Sequence, residues 1–214
     1  MEKLDIIIVD DHKLFREGLK ILLKNLENVD NVWEAADGEI FLQMIRTYRP
    51  HVVLMDIEMP NINGVDATIK ALEQYPEMKI LALSMYSDEE YFQKMIDAGV
   101  CGFLLKNSEF SEVRKAINTV AEGSNYFTEE ILYKLVNKLR TRTPHIQQHV
   151  TLSERETEIL LLICKGFSNQ EIADQLFISK RTVDHHRASL LTKTDTKNTA
   201  SLVIYAIKNK LVDI

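Results

Sequence analysis

Cysteine is scarce: Cys101 and Cys164 are the two in 214 residues. Both lie in apolar surroundings, in different halves, which argues against a disulfide framework and for a reducing compartment. Glycine and proline are also few, seven and four, and no low-complexity tract or internal repeat is present. Pro50, Pro60 and Pro76 fall between periodic segments, where a residue without an N–H belongs. No apolar run approaches the roughly 18 residues that a membrane span needs. Met1-Glu2-Lys3-Leu4-Asp5 leads straight into a short strand rather than a signal-peptide pattern. The expectation is a soluble, cytoplasmic protein with no membrane partner.

Charge of one sign is unevenly spread. The formal net charge is −6, and residues 1–122 carry 13 Lys+Arg against 22 Asp+Glu. From Ser179 onward the balance reverses, 7 against 3. An acidic front and a basic tail suggest two modules with different partners. The front reads as alternating strands (near 4–9, 31–36, 51–56, 79–84 and 101–105) and helices (near 12–26, 38–48, 63–74, 88–98 and 108–121). Leu14, Leu19, Leu22, Leu23 and Leu26 recur at helical intervals in the first helix. Strand 31–36 is the least apolar and fits a sheet edge. Such alternation predicts an α/β doubly wound, five-stranded parallel sheet over residues 1–122. A connector helix near 128–140 and a polar linker near 141–149 fill 123–149. Residues 150–214 predict a small all-α, four-helix domain. Ser153 with Glu156 and Ser168 with Glu171 have capping-box spacing, and Gly166 stands where a helix end takes a left-handed residue.

The polar residues that follow the apolar runs carry the chemistry. Asp10 and Asp11 follow Ile6-Ile7-Ile8-Val9, Asp56 follows Val52-Val53-Leu54-Met55, Ser84 follows Ile80-Leu81-Ala82-Leu83, and Lys106 follows Phe103-Leu104-Leu105. The carboxyl ends of parallel strands form the ligand crevice. One sheet edge therefore gathers three carboxylates, a hydroxyl and an ammonium. Clustered carboxylates call for a cation, and Mg²⁺ suits them with its preference for oxygen ligands and phosphate. With Asp56 as nucleophile, the metal and Lys106 offset the charge of an arriving phosphoryl group.

Asp10-Asp11, Asp56 within Leu54-Met55-Asp56-Ile57-Glu58-Met59-Pro60-Asn61-Ile62-Asn63-Gly64, Ser84 and Lys106 resemble, in order and spacing, the receiver domain of bacterial two-component response regulators. The resemblance implies a flavodoxin-like fold and phosphoryl transfer from a sensor histidine kinase to Asp56. It also implies Mg²⁺ ligation by Asp11, Asp56 and the backbone carbonyl of Glu58, with Asp10 acting through water. Ser84 and Phe103 take the switch positions. Phe103 stands where relatives carry tyrosine or phenylalanine, and it has no hydroxyl to anchor either state. His12 is read as opening the first helix.

In the back half, Ser179-Lys180-Arg181-Thr182-Val183-Asp184-His185-His186-Arg187-Ala188-Ser189-Leu190-Leu191-Thr192-Lys193 follows a short Phe177-Ile178 link, as in a helix-turn-helix. Val183, Leu190 and Leu191 can face the core, leaving a basic, hydroxyl-rich face. The run from Thr151-Leu152-Ser153-Glu154-Arg155-Glu156 through Gly166-Phe167-Ser168-Asn169-Gln170-Glu171-Ile172-Ala173 to Thr182–Arg187 resembles the LuxR-type helix-turn-helix of NarL/FixJ response regulators. The resemblance implies double-stranded DNA as partner and a homodimer when active. By it Asp184, His185 and Ala188 face bases, while Lys180, Arg181, Thr182, His186, Arg187 and Lys193 reach phosphates. Many relatives have lysine at the place of Asp184. The expected function is a phosphorylation-gated DNA-binding transcriptional regulator, not an enzyme beyond self-phosphorylation and self-dephosphorylation. The alternatives are a regulator that works independently of phosphorylation and an aspartyl-phosphate hydrolase of the haloacid-dehalogenase type. The hydrolase needs a second aspartate where this chain has Glu58.

Overall fold

A computed structural model describes residues 3–85, 89–127, 152–209 and Leu211. The expected connector helix and linker lie outside the described residues. The chain divides into two compact units, Met1–Tyr126 and Phe127–Ile214.

The first unit alternates β1 (Leu4–Val9), α1 (Lys13–Lys24), β2 (Val29–Ala35), α2 (Gly38–Met44), β3 (Val52–Asp56), α3 (Gly64–Gln74), β4 (Ile80–Ser84), α4 (Glu89–Ala98), β5 (Gly102–Leu105) and α5 (Phe110–Ala121). All strand pairs are parallel, in the order β2-β1-β3-β4-β5. The polar strand β2 is an edge, as its composition predicts. Every residue of β3 and β4 is buried, because helices cover both faces of a parallel sheet. One face packs Ile6, Ile8, Leu54, Leu81 and Leu83 against Leu19 and Leu23 of α1 and Ile117 and Val120 of α5. Truncating such a side chain to alanine costs about 2–5 kcal/mol.

The apolar spacing of α1 is wider than its buried stripe. Leu19 and Leu23 are buried, whereas Leu14 is 84 % exposed and Leu22 is also exposed. The unit runs on to Tyr126 because the chain after α5 returns to the edge of β5: Tyr126 N donates to Cys101 O (2.9 Å) and Phe103 N donates to Tyr126 O (3.0 Å). Gly102 permits this, since a Cβ there would lie 2.5 Å from Tyr126 O.

The second unit contains α6 (Glu154–Cys164), α7 (Asn169–Gln175), α8 (Lys180–Thr194) and α9 (Thr199–Lys208) among its described residues. Both expected capping boxes form, at Ser153/Glu156 and Ser168/Glu171. Gly166 has φ +85° after α6, as its position predicts. Ile159, Leu160, Ile163, Ile172, Val183, Leu190 and Leu202 make the core. Cys101 and Cys164 are both free thiols.

Candidate phosphoacceptor site and nucleic-acid interface

In the parallel register Val9 pairs with Met55, Asp56 with Leu83, and Ser84 with Leu105. The next residues of β1 and β5 therefore reach the same sheet edge as Asp56 and Ser84. The Lys106 ammonium lies 2.7 Å from Asp10 Oδ2 and 2.8 Å from Asp56 Oδ2, with all three side chains nearly inaccessible. Lys106 N also donates to Ser84 O (2.7 Å), which ties the ends of β4 and β5 together. Ile57 N donates to Asp56 Oδ1 and His12 N to Asp10 Oδ1, each at 2.8 Å. Each carboxylate thus has one oxygen held by backbone and the other by the ammonium.

These contacts set the charges. Burial, opposed by the Lys106 hydrogen bond and aided by the charge of Asp10, pushes the Asp56 carboxyl up to about 6. Burial works against the Lys106 ammonium, but hydrogen bonds and attraction to Asp10 and Asp56 outweigh it and raise its pKa. The site is a pair of buried carboxyl groups bridged by one ammonium, the pairing that a buried charge needs.

The loop after β3 supports Asp56 from below. Gly64 N donates to Ile57 O (2.8 Å), and a Cβ on Gly64 would sit 1.9 Å from Asp56 O, so only glycine lets α3 begin there. The two residues expected at switch positions are both inside the unit. Ser84 is buried, and Phe103 is buried with its ring 4.7 Å from Phe92 in an edge-on contact.

A metal fits the donor set. Asp10, Asp11, His12 and Asp56 each bring a donor atom within 4.8 Å of the others. The carboxylates supply the hard oxygens that Mg²⁺ prefers. Sequence reasoning missed three neighbours. His12 stands at the start of α1 as expected, without a side-chain cap bond, and its Nδ1 lies 2.8 Å from Asp11 Oδ1 and 3.2 Å from Asp10 Oδ1. Arg16 Nη1 donates to Asp10 O (2.6 Å). The Lys106 ammonium stands 5.2 Å over the Phe15 ring. His12 follows the acidic pair directly, and that adjacency was the available signal.

In the second unit α8 exposes Arg181, Asp184, His185, Ala188 and Thr192 at helical spacing, and Lys180, Thr182 and His186 are partly exposed. Ser179 caps the helix, its Oγ accepting from Thr182 N (3.1 Å). Arg187 corrects the sequence expectation: it is buried, not on the phosphate-facing surface. Its guanidinium donates to Asn169 Oδ1 (2.5 Å) and to Thr199 Oγ1, joining α7, α8 and α9. Burial lowers its pKa to about 10, against the raising influence of Asp184, so it keeps its charge. Lys193 is exposed but paired with Glu156 Oε2 (2.7 Å). Glu156 also accepts from Ser189 (2.8 Å) and Ser153 N (2.8 Å). The Lys193 bond, then those from Ser153 and Ser189, hold its carboxyl down at about 2.

Comparison with known proteins covers both units. The family model for the response regulator receiver domain matches residues 6–118, and that for bacterial regulatory proteins of the luxR family matches residues 150–206. The oxygen regulatory protein NreC of Staphylococcus haemolyticus is 40% identical over 215 residues, 97% of this chain and 99% of that protein. The transcriptional regulatory protein DegU of Brevibacillus brevis is 34% identical over 227 residues, 99% of this chain and 96% of that one. Among solved structures, response regulator ChrA of a heme-sensing two-component system is 29% identical with a TM-score of 0.53, covering 99% of this chain and all of that one. The RcsB–DNA complex is 25% identical with a TM-score of 0.59, covering 97% and 99%.

Proposed function

We propose, for a chain that belongs to the two-component response regulators joining a receiver domain to a LuxR-type DNA-binding domain, that Asp56 accepts a phosphoryl group from a sensor histidine kinase and thereby governs promoter binding through α8. The observation that carries the reading is the single ammonium of Lys106 bridging Asp10 and Asp56 at the carboxyl edge of the sheet. The Asp56 carboxylate forms a P–O bond as the donor's P–N bond breaks, and the departing imidazole takes up a proton from solvent. Lys106, already 2.8 Å from Asp56 Oδ2, stays within reach of the incoming phosphoryl oxygens as a point charge. Ser84 offers a hydroxyl from the next strand end, and Phe103 follows its movement. Asp11, Asp56 and the Glu58 carbonyl would hold Mg²⁺, with Asp10 acting through water. When bound, the ion neutralises charge that builds up on the phosphoryl group.

Self-phosphorylation and self-dephosphorylation are the extent of the catalysis we assign. The DNA-facing set is Lys180, Arg181, Thr182, Asp184, His185, His186 and Ala188, with Lys193 joining if it leaves Glu156. Two copies would read two half-sites as a symmetric dimer. Among the described residues no helix is long and apolar enough to cross a membrane; with DNA as the target, the cytoplasm is the compartment this reading implies. The test is a titration of promoter fragments with intact protein and Mg²⁺, with and without acetyl phosphate, beside Asp56→Asn. Tighter binding on donor treatment, lost in the variant, is expected. Binding indifferent to both overturns phosphorylation gating.

A further inference from the structure

The exposed face of a DNA-reading helix is a costly place for a carboxylate, because the phosphates around it repel negative charge. Asp184 nonetheless stands at the centre of the exposed stripe of α8, between Arg181 and Ala188. It is also held. Asn169 Nδ2 donates to Asp184 Oδ1 (2.6 Å), and the Asn169 carbonyl oxygen is in turn gripped by buried Arg187 (2.5 Å). Asn169 is 2 % exposed and Arg187 9 % exposed. Arg187 is anchored on its other side by Thr199. The chain Thr199–Arg187–Asn169–Asp184 runs from α9 through the core to the surface. It fixes which amide group faces Asp184: with its oxygen committed to Arg187, Asn169 can only present N–H to the carboxylate.

The geometry points to Asp184 as a specificity-determining residue, a pre-positioned acceptor that reads the exocyclic amino group of cytosine in the major groove. The inference rests on the reading of α8 as the DNA-facing helix. Its physical basis is the donor and acceptor code of the bases. Cytosine presents only a donor, N4–H₂, at its major-groove edge. Adenine presents N6–H₂ beside the acceptor N7, which repels a carboxylate. Guanine O6 and N7 and thymine O4 are acceptors throughout. The preference is therefore cytosine first, adenine next, guanine and thymine last. Because Oδ1 is already spoken for, the carboxylate cannot rotate freely, and discrimination arises from a fixed acceptor rather than an adaptable one. A lysine at this position would favour the opposite set of base edges.

The experiment uses the full chain, treated with Mg²⁺ and acetyl phosphate, to select duplexes from a random-sequence DNA library. Wild type, Asp184→Asn, Asp184→Ala and Arg181→Ala run in parallel, with far-UV circular dichroism showing that each is folded. The expected result is one position per half-site where cytosine is preferred, by roughly tenfold or more over guanine or thymine. Asp184→Asn keeps its oxygen on Asn169 and replaces the free acceptor with an amide N–H donor, which shifts that position toward guanine or thymine, and Asp184→Ala flattens it. The rest of the motif stays as in wild type. Arg181→Ala keeps the base preferences and loosens binding across all sequences. The same motif with the same preferences from Asp184→Asn and Asp184→Ala overturns the inference while leaving DNA binding intact. A wild-type motif with no cytosine position also overturns it. Failure to enrich any duplex removes the DNA-binding reading of α8 and the inference together.

Discussion

Buried charge means opposite things in the two units. In the receiver, Asp10, Asp56 and Lys106 are buried together, and these are the groups to which we assign the chemistry. In the helical unit, Arg187 and Glu156 are buried, and they are scaffold; the groups we assign to the DNA partner lie on the exposed stripe of α8. The difference follows from what each unit handles. A phosphoryl group is small and reacts best where water is excluded and counter-charges are fixed in place. A DNA duplex is large, and side chains must project into its groove to meet it.

The strongest way to break the comparison is to remove the buried charges one unit at a time. Asp56→Asn should abolish phosphoryl uptake from acetyl phosphate, read by intact-protein mass. It should leave folding stability equal or higher, because it removes a desolvated charge beside Asp10. The single tryptophan, Trp33, lies in the receiver and reports that unit's unfolding by fluorescence. A receiver that unfolds on this substitution would make Asp56 scaffold as well, and the contrast would collapse.

Arg187→Met is the matching change in the other unit. It removes the bonds that Arg187 gives to the Asn169 oxygen and to Thr199, and the loss of charge-assisted hydrogen bonds should cost about 2–3 kcal/mol of stability. Urea unfolding followed by far-UV circular dichroism measures this, and the Trp33 transition should not move. Arg181→Ala, on the exposed stripe, should leave stability unchanged while lowering the salt slope of DNA binding by about 1. If Arg187→Met left the helical transition in place and changed that slope, Arg187 would belong with the phosphate contacts after all.

Glu156 sharpens the same point through pH. Its folded pKa of about 2 lies below the ordinary value of 4.5. Its contribution is therefore present above about pH 4.5 and lost as pH falls through 2. Glu156→Gln should lower the stability of the helical unit by about 1–3 kcal/mol at pH 7, with the difference from wild type shrinking steadily below pH 4.5. Circular dichroism melts across that range read the effect. A difference independent of pH would mean that packing, not the charge held by Lys193, Ser189 and Ser153, stabilises the residue.

The same opposition explains what the sequence could and could not disclose. Asp10, Asp11, Asp56, Ser84 and Lys106 were legible because a parallel strand announces its end by changing from apolar to polar, and the sheet brings all such ends to one edge. The capping boxes were legible because their partners are three residues apart. Arg187 was misread because a basic residue on a DNA-facing helix looks like a phosphate contact, and its partners Asn169 and Thr199 stand 18 and 12 residues away. Leu14 and Leu22 of α1 share a spacing with Leu19 and Leu23 but not their burial. Helical period alone does not say how wide a stripe the neighbours will cover. His12 needed the fold of the β1–α1 turn to bring its ring back onto Asp10 and Asp11.

The smallest expected effect concerns the turn before α8. Phe177 has φ +53° and is 95 % exposed, so a bulky L-residue holds a left-handed conformation without burying its ring. Its backbone N–H is used, donating to Asp174 O (3.4 Å), and the turn closes when Ile178 N donates to Ala173 O (3.0 Å). The geometry serves the turn, while the side chain adds strain and no packing. Asparagine tolerates this region better, so Phe177→Asn should stabilise the helical unit by about 0.5–1 kcal/mol, read as a later urea transition by circular dichroism. Trp33 fluorescence should be unaffected. A loss of stability would show that the ring contributes to folding despite its exposure. That outcome would place Phe177 with Arg187 and Glu156 among the residues that build the unit rather than those that face its partner.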